Sequence, residues 1–205
     1  MITKENFQKV LEKLGFDNSK DINIYIKPFP EFDCDLKVDF KNEKFEYPKD
    51  IEFDGEFTLN FHQKESFVVF ECIHNLLLKG YHPRHIELEK TFSKQKKEDG
   101  GGRADIIVKS KNIIIDCKYK ILDENSISSR DDRYQMYVYA NNFENIETTM
   151  LLYPKHLDVI DKTIILGEND KKVVLKMKSI ELDFIGDYFE YYINEIRKRV
   201  EILNG

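Results

Sequence analysis

The 205-residue sequence predicts a mixed α/β domain preceded by a smaller α+β extension. Three observations predict it. Short β-branched runs at residues 104–108 and 112–115 flank the polar turn KSKN, the pattern of a hairpin. A helix-forming segment follows that hairpin and leads to another strand-like run, IETTMLLYP, the order expected of a crossover between parallel strands. An apolar share of 41% beside 34% charged residues describes an ordinary globular chain that can bury a core.

In chain order, residues 3–14 place Phe7, Val10, Leu11 and Leu14 at helical spacing, with Thr3 as N-cap and Gly15 past the end. INIYIKPF, DLKVDF and KFEYP alternate apolar and polar residues between Ile22 and Phe57, with KNEK as a turn. Residues 1–60 thus form an α+β extension with 9 Lys/Arg against 14 Asp/Glu, a net of −5. Recognition, docking and structural cover are all open for it.

The second unit spans residues 61–205. Asn60 and Gln63 have the spacing of a capping box, and Gly80 ends the helix that follows. Val69, Cys72, Ile73, Leu76 and Leu77 make its buried stripe, with Glu65 at the stripe's end and Glu71 on another face. HIELEKTF reads as a strand carrying Ile86, Leu88 and Lys90 on one face and Glu87 and Glu89 on the other. The basic, glycine-ended loop SKQKKEDGGG comes next. After the hairpin, ILDENSISS supplies Ser128 and Ser129 as caps for a helix bearing Gln135 and Tyr139 on one face. TIIL and KKVVLKMKSIEL are further strands, and DFIGDYFEYYINEIRKRVEIL is a closing amphipathic helix.

The hairpin carries the chemistry. Asp105 lies in its first strand; Asp116 and Lys118 point the same way at the end of the second, with Cys117 turned to the core. Residues 90–135 hold 11 Lys/Arg against 8 Asp/Glu, a net of +3 in a chain of net −6, which suits a phosphate-binding face. Three cysteines form no CxxC pair and no iron–sulfur ligand set, and the expected state is reduced and cytoplasmic. No apolar run is long enough for a membrane span, and the N-terminus does not read as a signal peptide. His62 and His74 are isolated, so neither zinc nor a Ser–His–Asp system has support.

Asp105 with Asp116-Cys117-Lys118 resembles the PD-(D/E)xK nuclease superfamily, Ala104 standing where the naming proline would be, and Gln135 and Tyr139 match its QxxxY element. IIIDCKYK, RYQMYVYA and LLYP resemble the McrC-like nuclease subunits of methylcytosine-dependent restriction systems. ESFVVFECIHNLLLKGYHPRHIELEKTF resembles the nuclease segment of large restriction-modification polypeptides. The resemblance implies a restriction-endonuclease-like core, a mixed central β-sheet flanked by helices, in an Mg²⁺-dependent DNA endonuclease of a restriction or phage-defence system. It also implies a helix acid at the metal site, a role that fits Glu65, with Glu71 as rival.

Asp105, Asp116, Glu65 and the Cys117 carbonyl are hard oxygen donors suited to Mg²⁺, with Mn²⁺ able to substitute. Lys118 would stand beside the attacking water, and Gln135 and Tyr139 would position groups. Lys94, Lys96, Lys97, Arg103, Lys120 and Arg133 are the expected DNA contacts. McrC-like proteins work beside a nucleotide-hydrolysing subunit, and GGGR here lacks the rest of a phosphate-binding loop. Expected partners are therefore DNA and either a second copy of the chain or a separate restriction-system subunit. A structure-selective resolvase or repair nuclease, a non-cleaving DNA-binding subunit, and a plain structural ion pair at Asp105, Asp116 and Lys118 stay open as alternatives.

Overall fold

The computed structural model describes residues 6–18, 22–91, 102–119, 130–143, 146, 148–154, 161–167 and 173–180. The elements in order are α1 (Phe7–Lys13), β1 (Asp17–Asn18), β2 (Ile24–Phe29), β3 (Cys34–Asp39), β4 (Lys44–Glu46) and β5 (Glu52–Phe53). They continue with α2 (Lys64–Leu78), β6 (Ile86–Thr91), β7 (Arg103–Val108), β8 (Ile113–Cys117), α3 (Arg130–Asn142), β9 (Thr148–Pro154), β10 (Asp161–Leu166) and β11 (Val173–Ile180). The predicted mixed α/β class is observed, and its layers are compatible with a restriction-endonuclease-like core. Expectations for Thr3, for Ser128 and Ser129, and for the closing helix lie outside the described residues.

The alternating segments of the extension form an antiparallel sheet in the order β1-β2-β3-β4. KNEK lies at the β3–β4 turn, with Glu43 at φ 52°. The larger sheet runs β10-β11-β9-β8-β7-β6-β5. The chain goes from β8 through α3 to β9, which lies parallel to β8, as the crossover pattern predicts. β11 adds parallel to β9, and β10 pairs antiparallel at the edge.

α2 carries more apolar residues than a single stripe requires, because both sides of it are covered. Phe67, Val68, Val69, Phe70, Cys72, Ile73 and Leu77 are all buried. They share one cluster with Phe7, Leu36, Val38 and Phe45 of the extension and with Ile86, Leu88, Ile106, Ile115 and Leu152 of the large sheet. Phe70 stacks on Phe45 at 4.9 Å, and Phe7 meets Phe67 edge-on at 5.2 Å. Lys27 reaches from β2 to the Leu14 carbonyl and to His74 Nε2, 2.9 Å away. Burial, with Lys27 beside it, depresses the His74 pKa to about 3, so this histidine is a neutral core residue. On the opposite face, α3 packs Met136 and Tyr139 against Ala104, Ile107, Ile114, Leu151 and Tyr153.

Two local expectations change. The capping box does not form: α2 begins at Lys64 with Gln63 as N-cap and no side-chain cap bond. Asn60 instead accepts from the His62 N–H at 3.0 Å, closing a turn before the helix. The C-terminus is as expected, with Gly80 at φ 84° donating to the Leu77 carbonyl while Tyr81 N–H reaches Leu76. In β6 the regular alternation breaks at Glu89, whose φ is 54°. Lys90 then ion-pairs with Glu87 at 3.7 Å, although three residues apart would be opposite faces of a regular strand.

All three cysteines are free. Among the described residues, no helix is long and apolar enough to cross a membrane.

Because Phe70 ties α2 to the extension's sheet, Phe70→Ala is expected to destabilise the fold by about 3–5 kcal/mol. Equilibrium unfolding in urea measures this; a loss under about 1 kcal/mol would show that the sheet–helix contact is dispensable.

Candidate active site

Strand register sets the site. β7 and β8 are antiparallel and their ladder ends at Ile106 opposite Ile115; carried one step further, that register sets Asp105 beside Asp116. Directly opposed side chains stand on the same face. Alternation turns Cys117 inward, where it is buried in the α2 cluster, and leaves Asp116 and Lys118 on the side of α3. Lys118 lies one residue past β8, but its N–H donates to the Leu152 carbonyl of β9 at 2.9 Å and so keeps the strand direction.

Hydrogen bonds then fix each side chain. The Cys117 N–H donates to Asp105 Oδ2 at 2.8 Å. Lys118 Nζ stands 2.5 Å from Asp116 Oδ2 and donates to Gln135 Oε1 at 3.1 Å. Gln135 Nε2 donates to the Tyr139 hydroxyl at 2.5 Å and lies 3.4 Å from Asp116 Oδ1. The Tyr139 hydroxyl in turn donates to the Arg103 carbonyl at 2.7 Å. Gln135 and Tyr139, one helical turn apart, thereby link α3 to both strands of the hairpin.

The electrostatics follow from two carboxylates sharing a partly desolvated space. Burial and the neighbouring Asp116 raise the Asp105 pKa to about 7, against the smaller opposing effect of the Cys117 N–H. Burial alone would lower Lys118, but Asp116, with Asp132 and Asp105, outweighs it and holds the amine charged. Burial and Asp116 push the Tyr139 hydroxyl up, so it serves as a hydrogen-bond donor rather than a base.

These groups line a cleft of about 530 Å³ with Phe57, Thr58, Gln63, Glu65, Ser66, Thr91 and Arg103. Asp105, Asp116, Cys117, Lys118 and Gln135 are all on its wall, and Tyr139 stands behind Gln135. The two helix acids separate: Glu65, exposed in the first turn of α2, lines the cleft. Glu71 is buried away from it, and burial raises its pKa to about 7. Arg103 lines the cleft, whereas Arg133 on α3 does not. Lys94, Lys96, Lys97 and Lys120 lie outside the described residues.

Sequence reading passed over two acids. Asp132 is 3.9 Å from Lys118 Nζ, and its only signal was a place three residues before Gln135 on the same helix. Glu89, wholly buried, ion-pairs with Arg103 at 3.3 Å; a strand-like stretch gave no sign of it.

Among the described residues, no group of three or more His, Cys, Asp or Glu side chains is arranged to hold a metal ion. The paired Asp105 and Asp116 carboxylates do fit a hard cation that takes one or two carboxylates and fills its other positions with water and phosphate oxygens. Burial is the larger cause of the raised Asp105 pKa and the facing Asp116 the second, and a cation between the two carboxylates would relieve that second part.

The fold and this site together define a mixed α/β domain with a carboxylate pair and a lysine on two neighbouring interior strands of its sheet. Residues 75–154 match the family model "McrBC 5-methylcytosine restriction system component". The matched segment runs from the end of α2 through β9; it includes Asp105, Asp116, Lys118, Gln135 and Tyr139 and leaves out Glu65. It covers less than half of the 205 residues and associates the chain with restriction systems. No curated protein and no solved structure matches the chain.

The raised Asp105 pKa carries a sign. The folded carboxyl keeps its proton to about pH 7, while the unfolded one releases it near its ordinary 3.8, so this group's contribution to stability is lost as pH rises between those values. In EDTA, Asp105→Asn should therefore gain in melting temperature relative to the wild type as pH goes from about 5 to about 8. Added Mg²⁺ should raise the wild type more than the variant at the upper end. A pH-independent difference between the two would refute the coupling.

Proposed function

We propose that this chain is a divalent-cation-dependent DNA endonuclease acting within a restriction system. One observation carries the reading: Asp105, Asp116 and Lys118 converge in an open cleft, Asp105 held by the Cys117 N–H and the other two by Gln135, inside the segment that matches a restriction-system family. A purely structural ion pair has no need of a cleft beside it, nor of a second carboxylate pressed against the first.

Asp105 and Asp116 would hold Mg²⁺, with the Cys117 carbonyl as a further oxygen and Glu65, which lines the same cleft, as the acid from the helix. When bound, the cation supplies positive charge to the phosphate oxygens and makes water a better nucleophile near neutral pH. The chain's own groups do the positioning. Lys118, kept charged by three carboxylates, directs its N–H donors toward an attacking water or the charge building on the phosphate. Gln135 holds that amine with its carbonyl oxygen, and Tyr139 holds Gln135. The cleft is open on one side, as a polymer substrate requires. One such centre cuts one strand, so a double-strand break calls for a second copy or a partner subunit of the restriction system.

Plasmid cleavage should require Mg²⁺ or Mn²⁺ and stop in EDTA. Asp116→Asn and Lys118→Ala should each lower the rate by about a hundredfold or more while circular dichroism is unchanged. Glu65→Gln should reduce cleavage and Glu71→Gln should not, since only Glu65 lines the cleft. Undiminished cutting in EDTA, or by Lys118→Ala, would sink the proposal.

A further inference from the structure

Glu89 belongs to the same row of the sheet as the two site carboxylates. β6 pairs with β7 so that Leu88 faces Ile106 and Lys90 faces Ala104, which puts Glu89 level with Asp105; Asp105 is level with Asp116. Three acids side by side would repel strongly, and a regular strand would aim all three at one face. Glu89 escapes through its left-handed backbone, φ 54°, a conformation that costs a non-glycine residue of order 1–3 kcal/mol. Such strain persists only where the surroundings hold it in place.

What holds it is a built pocket. Glu89 is wholly buried; one carboxylate oxygen takes the Thr58 N–H, and the other lies 3.3 Å from Arg103 Nη1. Gly55 leaves room for that carboxylate, and any side chain there would collide with it. Arg103 is clamped from two more directions. Its guanidinium lies over the Phe57 ring at 4.3 Å, and its own carbonyl receives the Tyr139 hydroxyl. The Arg103 side chain is nevertheless 33% exposed and lines the cleft beside Asp105. A guanidinium has five N–H donors in a planar fork suited to phosphate, and one anchored on a buried carboxylate reaches its ligand without further ordering.

We propose that Glu89 is a positioning residue that holds Arg103 as a phosphate-binding fork in the cleft, gripping a DNA phosphate next to the one cleaved at Asp105 and Asp116. The proposal rests on the nuclease reading, but binding can test it apart from cleavage. Glu89 touches no substrate, since it is buried behind Arg103; its effect must run through the guanidinium.

The test uses the full chain and a short fluorescent DNA duplex, with affinity read by anisotropy in Ca²⁺ over a range of salt. Arg103→Ala should weaken binding about tenfold, the worth of one charge-assisted hydrogen bond, and flatten the logarithmic salt dependence by about one phosphate contact. Glu89→Gln should weaken binding in the wild-type background and add nothing in the Arg103→Ala background; in Mg²⁺ it should raise KM while kcat changes little. Equal, additive losses from the two substitutions, an unchanged salt slope in Arg103→Ala, or no DNA binding by the wild-type chain would each overturn the proposal. If Glu89→Gln does not fold, Arg103→Lys decides: lost affinity supports a fork, and wild-type affinity shows that charge alone suffices and refutes it. Intact binding with these couplings but no cleavage would remove the nuclease reading and leave the phosphate fork standing.

Discussion

Two carboxylates opposed across neighbouring strands are the constraint around which this domain is arranged. Like charges directly opposite in a sheet are destabilising, and partial burial makes the repulsion worse. The register that aligns Ile106 with Ile115, carried one step further, brings Asp105 beside Asp116. The structure offsets the repulsion with one backbone N–H, one lysine and one glutamine, drawn from the hairpin and from α3. Glu89, the third acid of the row, is turned aside by a change of backbone hand and given its own arginine. The energy of the site is thus distributed over four elements, and each has to be in place before the carboxylates can sit where they do.

α2 connects this site to the rest of the chain. Its first turn brings Glu65 and Ser66 to the cleft, while the remainder is enclosed between the extension's sheet on one side and β8 and β9 on the other. An aromatic cluster around Phe7, Phe45, Phe61, Phe67 and Phe70 fills the space between α1, β4 and α2. Position along the helix axis is therefore set by packing some distance from the chemistry. A loss at Phe45 or Phe70 would be felt at Glu65 as a change of placement rather than of charge.

α3 plays the complementary part from the other face. Met136 and Tyr139 bury against Ala104, Ile114 and Leu151, which fixes the helix so that Gln135, next to Tyr139 on its surface, reaches the hairpin. Gln135 can donate and accept at once, and here it does both, accepting from Lys118 and donating to Tyr139. A carboxylate at that position would add a further negative charge beside Asp116, and a lysine would offer nothing to hold Lys118.

The elements of the larger sheet were legible because period-2 and period-3.6 patterns survive in its strands and helices, and because KSKN and Gly80 punctuate them. Asp105, Asp116, Lys118, Gln135 and Tyr139 were legible as a spacing: two strand ends and one helical turn place them without any tertiary knowledge. The sequence by itself therefore determined which side chains share a face. Tertiary structure decided what each face meets. It assigned Glu65 to the cleft and Glu71 to the core, a choice that depends on what packs beside α2 and not on helical phase alone. It replaced the expected Asn60 cap with a turn, since the last extended residues before α2 are held by the extension. It also decided Glu89, whose strand-like neighbourhood encodes alternation, while its partners Thr58 and Arg103, distant in sequence, receive its carboxylate from a backbone of the opposite hand.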